Sequence, residues 1–297
     1  MINYSKHCDL LHEFYLNKKM SKEDAEFYVL EKVKKLKVSK NPFSYNIWLE
    51  KLIPYLKNKF EIQGEGMTIL DFGCGSGEMV ILLRQLGVEA YGYDIYHDEI
   101  KLAQNLAIEN DISESIFFSD KTEFMNHLKG RSIDILTSFS VIEHLSDKNF
   151  LKMIDDFDDI VSYGFYGLVP SKYKIVDDHT GLKFLGLLPR NLSLLRVSMS
   201  GEKGKYKLSE DNSWDVWYRS LSYISNLSQT RGYILDVVDE SAMYPNLLEV
   251  PKIGKSSNHS LGGYVDRIYG TLIRRLTKND ANLYPYLNFI LKKQDDK

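Results

Sequence analysis

The stretch that decides the fold runs from Met67 to Gly77 and reads MTILDFGCGSG. An apolar run ends in an acid, Asp71, and a glycine-rich loop follows at once. This pattern predicts a buried strand that enters a tight turn and then a helix. Gly73, Gly75 and Gly77 have no Cβ atoms to block a close approach of the backbone. The following helix would point its first N–H groups at a ligand. The sequence therefore predicts a ligand site at the C-terminal end of this strand.

Strand and helix patterns alternate downstream of the loop. Strands are predicted over residues 67–72, 89–94, 115–119, 132–139, 161–169 and 233–239, and helices over 78–86, 97–110, 149–160 and 214–230. Strands that alternate with helices at this spacing indicate a parallel sheet with right-handed crossovers. The predicted fold class is α/β, in three layers.

Three segments of different character define the predicted domain organisation. Residues 1–65 show helical spacing and predict an N-terminal helical cap. Residues 66–297 are predicted to form one α/β domain. Within that domain, residues 171–230 lose the regular rhythm and are interpreted as an insertion or lid on the acceptor side.

Composition narrows the class of protein. A formal net charge of −3 argues against a nucleic-acid binder that works through bulk positive charge. Two cysteines, Cys8 and Cys74, supply neither a disulfide framework nor metal-ligand spacing, so a reduced cytoplasmic protein without a metal is expected. Neither a signal-peptide pattern nor an apolar run long enough to span a membrane is visible. A homo-oligomer is compatible with this composition.

The spacing of the glycines distinguishes among nucleotide sites. A dinucleotide fingerprint needs G-x-G-x-x-G and a P-loop needs Gly-Lys-Ser/Thr, whereas this loop is G-x-G-x-G and Glu78 follows Gly77. A glutamate there would repel a phosphate, so a phosphate-free cofactor such as S-adenosylmethionine fits better. Asp71 could meet the ammonium group of that cofactor. Asp94 ends the second predicted strand, where an acid accepts hydrogen bonds from the two ribose hydroxyls.

Two segments resemble the class I S-adenosylmethionine-dependent methyltransferases. They are ILDFGCGSGEMVILLRQLGVEAYGYD (69–94) and SFSVIEHLSD (138–147). The resemblance covers about residues 65–170, and it implies a seven-stranded, mostly parallel sheet with helices on both faces. It further implies a small-molecule acceptor as the partner.

The resemblance also implies the residues that bind the cofactor. The pocket for the amino-acid and ribose portions would be shaped by Asp71, Gly73, Cys74 and Gly75, and Asp94 would hold the ribose. Around the adenine, Ile95 would pack on the ring and Asp120 would accept a hydrogen bond from the amino group. Ser140 would lie near the methionyl part. Asp120 has an equally good interpretation as a solvated turn acid.

Transfer to an alcohol requires a base, and histidine suits that role near neutral pH. The candidates are His179, which follows Asp177 and Asp178, and His144, which follows Glu143. His179 is the preferred base, with either preceding aspartate as its orienting group. Each histidine also has a plainer interpretation, His144 as a structural residue and His179 as a solvated loop residue.

The region from residue 177 to about residue 220 resembles the substrate side of bacterial methyltransferases that act on small molecules or sugars. The predicted reaction is therefore methyl transfer to an oxygen of a small molecule, with a sugar or surface-glycan precursor favoured. An N-methyltransferase is one alternative, because an amine needs only a neutral lone pair. A non-catalytic module that binds the cofactor or scaffolds a partner is the other.

Overall fold

The protein is represented by a computed structural model. It describes residues 3–36, 45–64, 66–177, 179–200, 215–238, 261–278, 284 and 286–294. The α-helices of these ranges are α1 (Ser5–Asn17), α2 (Lys22–Leu36), α3 (Tyr45–Lys59), α4 (Glu78–Gln85), α5 (His97–Glu109), α6 (Lys121–Leu128), α7 (Asp147–Phe157), α8 (Arg190–Met199), α9 (Leu221–Gln229) and α10 (Leu261–Thr277). The strands are β1 (Thr68–Phe72), β2 (Glu89–Tyr93), β3 (Phe117–Phe118), β4 (Ile133–Phe139), β5 (Val161–Pro170), β6 (Tyr233–Val237) and β7 (Tyr286–Lys293).

The seven strands form one sheet in the order β3-β2-β1-β4-β5-β7-β6. β1 pairs in parallel with both β2 and β4, so Leu70 lies opposite Tyr91 on one side and Leu136 on the other. β2 and β3 are also parallel, whereas β7 runs antiparallel to β5 and β6. The predicted α/β class with a mostly parallel, seven-stranded sheet is confirmed.

By its internal contacts the chain divides into two compact units. Unit 1 comprises Met1–Ser138 and Ile160–Tyr163, and unit 2 comprises Phe139–Asp159 and Gly164–Lys297. The predicted helical cap over residues 1–65 and the acceptor-side insertion over 171–230 stay predictions.

Apolar periodicity and close packing explain the central elements of unit 1. In α4, Met79, Ile81 and Leu83 are all buried, as expected of a helix that covers a parallel sheet. Gly92 lies within β2 because a Cβ atom there would come within 2.5 Å of the Phe117 ring. Gly87 ends α4 with a φ of +79°, the left-handed conformation that favours glycine.

Helix α1 is hydrogen-bonded to α5 within unit 1. Glu109, at the end of α5, accepts hydrogen bonds at 2.9 Å from the backbone N–H groups of Lys6 and His7, which α1 itself leaves unsatisfied. At the start of α2, Ser21 Oγ accepts a hydrogen bond from the N–H of Asp24 at 3.1 Å and so caps the helix.

Three element boundaries differ from the sequence prediction. The helix predicted from residue 214 begins only at Leu221, because Ser220 Oγ caps it by accepting from the N–H of Tyr223. β3 is only two residues long because a 3-10 turn, Glu114–Ile116, takes the residues before it. β7 is absent from the predicted elements altogether. No described helix is both long enough and apolar enough to cross a membrane.

Candidate cofactor site and histidine cluster

The glycine loop has the backbone geometry that its sequence predicts. Gly73, Gly75 and Gly77 all have positive φ angles, of +76°, +52° and +86°. Side chains strain this conformation, so the loop needs glycine at these positions. At Gly77 a Cβ atom would also lie 2.7 Å from Ala103 Cβ, so this glycine lets α4 approach α5 closely.

Asp94 joins the loop to the end of β2. One carboxylate oxygen accepts the N–H of Gly75 and the other accepts the N–H of Tyr96, both at 2.9 Å. Each oxygen keeps a second acceptor position, which fits the predicted bonds to two ribose hydroxyls. The next residue, Ile95, is 67% exposed, an apolar surface of the kind that an adenine ring would cover.

Two further predicted cofactor residues lie at the ends of strands or in the loop of unit 1. Asp71 is buried, and its carboxylate accepts the hydroxyl of Thr137 at 3.2 Å. Burial raises the pKa of the Cys74 thiol, and the negative charges of Asp71 and Asp94 raise it further. The thiol, which lies within the glycine loop, is therefore neutral.

Asp120 and Ser140 have local roles that the sequence did not reveal. Asp120 caps α6 by accepting the N–H of Glu123 at 2.8 Å. Ser140 belongs to unit 2 and has a φ of +57°, an uncommon angle for a residue other than glycine. Their predicted contacts with the cofactor stay predictions.

A buried ion pair under the loop was missed by the sequence interpretation. Glu78 is 3% exposed, accepts the hydroxyl of Ser76 at 2.8 Å and lies 3.6 Å from Nζ of Lys32 on α2. Burial alone would lower the pKa of Lys32, but the carboxylate of Glu78, with Tyr15 and Glu99, raises it above its ordinary value. The argument that Glu78 repels phosphate is thus incomplete, because a cation compensates its charge. The spacing argument against a P-loop is unaffected.

The two candidate histidines come together in unit 2. His144 lies in a 3-10 turn, Ile142–His144, and its ring centroid is 4.9 Å from that of His179, edge to face. Glu143 is buried beside them, and one potential ligand atom from each of the three residues lies within 4.8 Å of the others. We call Glu143, His144 and His179 the histidine cluster.

An acid that the sequence did not single out orients His144. Asp215 Oδ2 lies 3.3 Å from His144 Nδ1. Burial alone would raise the pKa of Asp215, but the hydrogen bond from His144 and the charge of that ring outweigh burial and lower it. Asp215 is therefore a carboxylate at neutral pH, and its contact with Nδ1 can fix the orientation of the His144 ring.

The predicted orienting group of His179 has a different task. Asp177 accepts the N–H and the hydroxyl of Thr180, both at 2.7 Å, and also the hydroxyl of Tyr218. It therefore shapes the loop that carries His179. Asp178, the other predicted partner, and Trp214 lie outside the described residues.

The cluster can do two kinds of chemistry. A histidine held by a carboxylate suits proton transfer. Two imidazoles and one carboxylate also form a donor set that suits a divalent cation, although the sequence led us to expect no metal.

Comparison with known proteins agrees with this geometry. A family model described as "Methyltransferase domain" matches residues 45–164. Residues 45–164 are therefore similar to a methyltransferase domain. The resemblance drawn from the two sequence segments is thereby confirmed, and S-adenosylmethionine is the cofactor of this domain.

Curated relatives match only in part. A ubiquinone biosynthesis O-methyltransferase from Chelativorans sp. is 32% identical over 83 residues, which are 28% of this chain and 32% of the relative. Norajmaline N-methyltransferase from Rauvolfia serpentina is 29% identical over 82 residues, 27% of this chain and 28% of the relative. The chain thus spans about a third of the length of these relatives.

Solved structures similar to this chain match it at low identity and with TM-scores below 0.5. A SAM-dependent methyltransferase from Archaeoglobus fulgidus is 18% identical with a TM-score of 0.45, covering 84% of this chain and 93% of the other. The plantazolicin methyltransferase BpumL in complex with SAH is 16% identical with a TM-score of 0.48, covering 98% and 96%.

The buried pair beneath the loop generates a stability prediction. Lys32→Gln leaves the charge of Glu78 buried without its ammonium, so the free energy of unfolding should fall by about 2 kcal/mol. Urea denaturation at pH 7 measures it. Because the pKa of Lys32 is raised, its stabilising contribution is complete below its unfolded value and is lost only as the pH rises through the higher folded value.

The control is Lys22→Gln, an exposed change on the same helix, which should alter stability by less than about 0.5 kcal/mol. The double variant Lys32→Gln with Glu78→Gln should lose less than the sum of the single losses. Equal stability of the Lys32 and Lys22 variants would show that the pair contributes nothing.

The second prediction concerns Asp94, the acid that is predicted to hold the ribose of the cofactor. Asp94→Asn keeps one acceptor oxygen but removes the charge, so S-adenosylhomocysteine should bind at least about tenfold more weakly by calorimetry. Asp98→Asn, an exposed acid in the first turn of α5, should bind within about twofold of the wild type. Unchanged affinity of a folded Asp94→Asn protein would exclude Asp94 from the cofactor site.

Proposed function

We propose that this protein transfers a methyl group from S-adenosylmethionine to an oxygen of a small-molecule acceptor, with a sugar or surface-glycan precursor as the favoured class. The observation that carries the proposal is the pairing of His144 with Asp215 beside His179. The preference for a sugar rests only on the likeness of residues 177–220 to sugar-directed methyltransferases.

The proposed chemistry assigns separate tasks to the two units. In unit 1, Asp94, Asp71 and the glycine loop hold the cofactor, which supplies an electrophilic methyl group on a sulfonium when it is bound. In unit 2, one nitrogen of His144 removes the proton of the acceptor hydroxyl. Asp215 holds the other nitrogen and stabilises the imidazolium that results.

This assignment modifies the preference derived from the sequence. His179 was the favoured base there, but the structure gives the carboxylate partner to His144. We therefore propose His144 as the base and His179 as the neighbour that packs against its ring. Both remain predicted catalytic residues until they are tested.

The alternatives keep specific support. The names of the relatives include both O-methyltransferases and an N-methyltransferase, and transfer to nitrogen would not need a base. The intact glycine loop and Asp94 argue against a decayed, purely scaffolding module. A cytoplasmic location is part of the proposal because both cysteines are free thiols.

The activity itself is tested with labelled cofactor. The purified protein is incubated with methyl-labelled S-adenosylmethionine and fractionated metabolite extract, and the product is identified by mass. A labelled small molecule with its methyl group on oxygen supports the proposal. Label on nitrogen supports the first alternative, and no product from protein that binds S-adenosylhomocysteine supports the second.

With that acceptor, we expect His144→Asn to lower kcat by a factor of about 10² to 10⁴. Asp215→Asn should lower it by less and should leave cofactor affinity unchanged. The wild-type rate should fall as the pH drops through the range where imidazole gains its second proton. Asp215 remains ionised there, because its pKa is lowered.

The loss of kcat in His144→Asn is compared with the loss in His179→Ala, measured with the same acceptor. A loss smaller than that of His144→Asn agrees with the assignment, and the reverse order would return the base to His179. Little loss in both variants, with a flat pH profile, would contradict base catalysis and favour transfer to nitrogen.

Chelation separates the two chemistries open to the histidine cluster. If His144 acts as a base, activity after treatment with EDTA and desalting should stay within about twofold of the untreated level, because no cation takes part. Loss of activity that is restored by a divalent cation would contradict the base mechanism and assign the cluster to metal binding.

A further inference from the structure

The histidine cluster brings together side chains that are also metal ligands. One potential ligand atom from each of Glu143, His144 and His179 lies within 4.8 Å of the other two. We propose that the cluster binds one divalent transition-metal ion, of the class that includes zinc, and that the bound ion blocks methyl transfer by occupying the proposed base. The blocking role rests on the proposed function, whereas the binding of the ion does not.

The donor set of the cluster selects the class of ion. Two imidazole rings and one carboxylate suit zinc and its transition-metal neighbours, whereas magnesium and calcium prefer oxygen ligands alone. Ligand atoms around a tetrahedral zinc ion, with bonds of about 2.0 Å, lie about 3.3 Å apart. Because the ligand atoms of the cluster are within 4.8 Å of one another, rotation of the side chains that closes these distances by at most about 1.5 Å forms the site.

The turn that carries two of the ligands is held by residues distant in sequence. Arg219 donates to the carbonyl oxygen of the first residue of the 3-10 turn Ile142–His144 at 2.9 Å, and to that of Leu145, the residue after the turn, at 2.6 Å. The N–H of Trp217 donates to the carbonyl oxygen of Glu143, also at 2.6 Å. The backbone under these ligands is thus fixed in advance, which lowers the entropic cost of binding an ion.

The loop that carries His179 is fixed by the same distant segment. One carboxylate oxygen of Asp177 accepts the N–H and the hydroxyl of Thr180, both at 2.7 Å, and the other accepts the hydroxyl of Tyr218. Residues 215–219 therefore contact both the turn and the loop, so that one short segment sets the positions of all the ligands in the cluster.

Asp215 lies where a carboxylate supports a metal-bound histidine. Its Oδ2 is 3.3 Å from Nδ1 of His144. A histidine that binds a metal almost always donates its other ring N–H to a carboxylate, a carbonyl group or water, and this partner orients the ring and makes it more basic. With Asp215 on Nδ1, the ring nitrogen that would take the proton of the acceptor is the one that would bond to the ion. A bound ion and base catalysis therefore exclude each other.

Glu143 is a ligand to which the proposed base mechanism assigns no task. Its side chain is 3% exposed, and coordination of a metal is one of the ways in which proteins hold a carboxylate in such a position. The substitution Glu143→Gln removes this charged ligand and retains both members of the pair between His144 and Asp215. It therefore tests metal binding separately from proton transfer.

Cobalt(II) is the direct probe of the site, because its visible absorption reports the ligands around it. Protein treated with EDTA and desalted is titrated with cobalt chloride, and the absorption should saturate at one ion per chain. Zinc, which has a filled d shell, should displace cobalt and remove the absorption. His179→Ala, Glu143→Gln and Asp215→Asn should each weaken cobalt binding at least about tenfold. His97→Ala, which removes an exposed histidine outside the cluster, should leave cobalt binding within about twofold of the wild type.

Folding of each variant is checked by circular dichroism. If the buried change Glu143→Gln prevents folding, His179→Ala, which lies in a loop, carries the test. A wild-type protein that gives no saturable absorption would overturn the inference. Equal cobalt binding by the His179 and His97 variants would overturn it as well, because the ion would then be bound outside the cluster.

The acceptor found in the extract experiment tests the blocking role. Zinc should lower the rate of the EDTA-treated wild type over the same concentrations that displace cobalt, and renewed EDTA should restore the rate. Zinc that displaces cobalt without lowering the rate, or that raises it, would overturn the blocking role. Cobalt binding by a protein that forms no methylated product would support the site and reject the proposed function. Methyl transfer by a protein that binds no cobalt would do the reverse.

Discussion

The carboxylate of Asp94 is the constraint on which the cofactor half of the protein depends. It accepts one N–H from the glycine loop and one from the residues after β2, so the ends of two parallel strands are fixed to each other. The loop can follow this path only because Gly73, Gly75 and Gly77 adopt left-handed angles. Backbone N–H groups then satisfy a nearly buried charge while its remaining acceptor positions stay available to a ligand.

Opposite charges are also paired at three other places in the part of the chain that the structure describes. Glu78 is balanced by Lys32, Arg219 by Asp147 together with two carbonyl groups, and Asp215 by His144. Each partner comes from a different segment of the chain, so each pair also fixes the position of one segment against another. At Glu78 and Arg219, breaking the pair costs more than its formation contributes, because the remaining charge stays buried.

Sequence periodicity predicted the parallel part of the sheet well, because the information there is local. The runs ending at Asp71 and Asp94 are apolar, short and bounded by glycine or turn residues, and their strands have the predicted bounds within one residue. The edge of the sheet was harder. The sequence of β7 is YLNFILKK, and its residues are buried because the strand pairs antiparallel with β5 and β6. A single apolar run does not predict such pairing with distant strands. The start of α9 was misplaced because the serine cap at Ser220 outweighed the apolar residues before it.

The candidate site shows the same contrast between residues that local sequence predicts and residues that only tertiary contacts bring together. Most of the residues predicted to bind the cofactor lie in one short stretch, and that prediction follows from glycine geometry and the position of an acid at a strand end. The residues that form the pair under the loop and the contacts of the histidine cluster are far apart in sequence. Lys32 resembles any lysine on a polar helix, Asp215 follows a tryptophan in an irregular stretch, and Asp177 looked like a partner for the adjacent histidine. Tertiary contacts decide each role: Asp215 reaches His144, whereas Asp177 is used to hold Thr180 and Tyr218. A cofactor common to a family can be recognised by a local motif. Groups that only the folded chain brings together, such as Asp215 and His144, have no local motif of that kind.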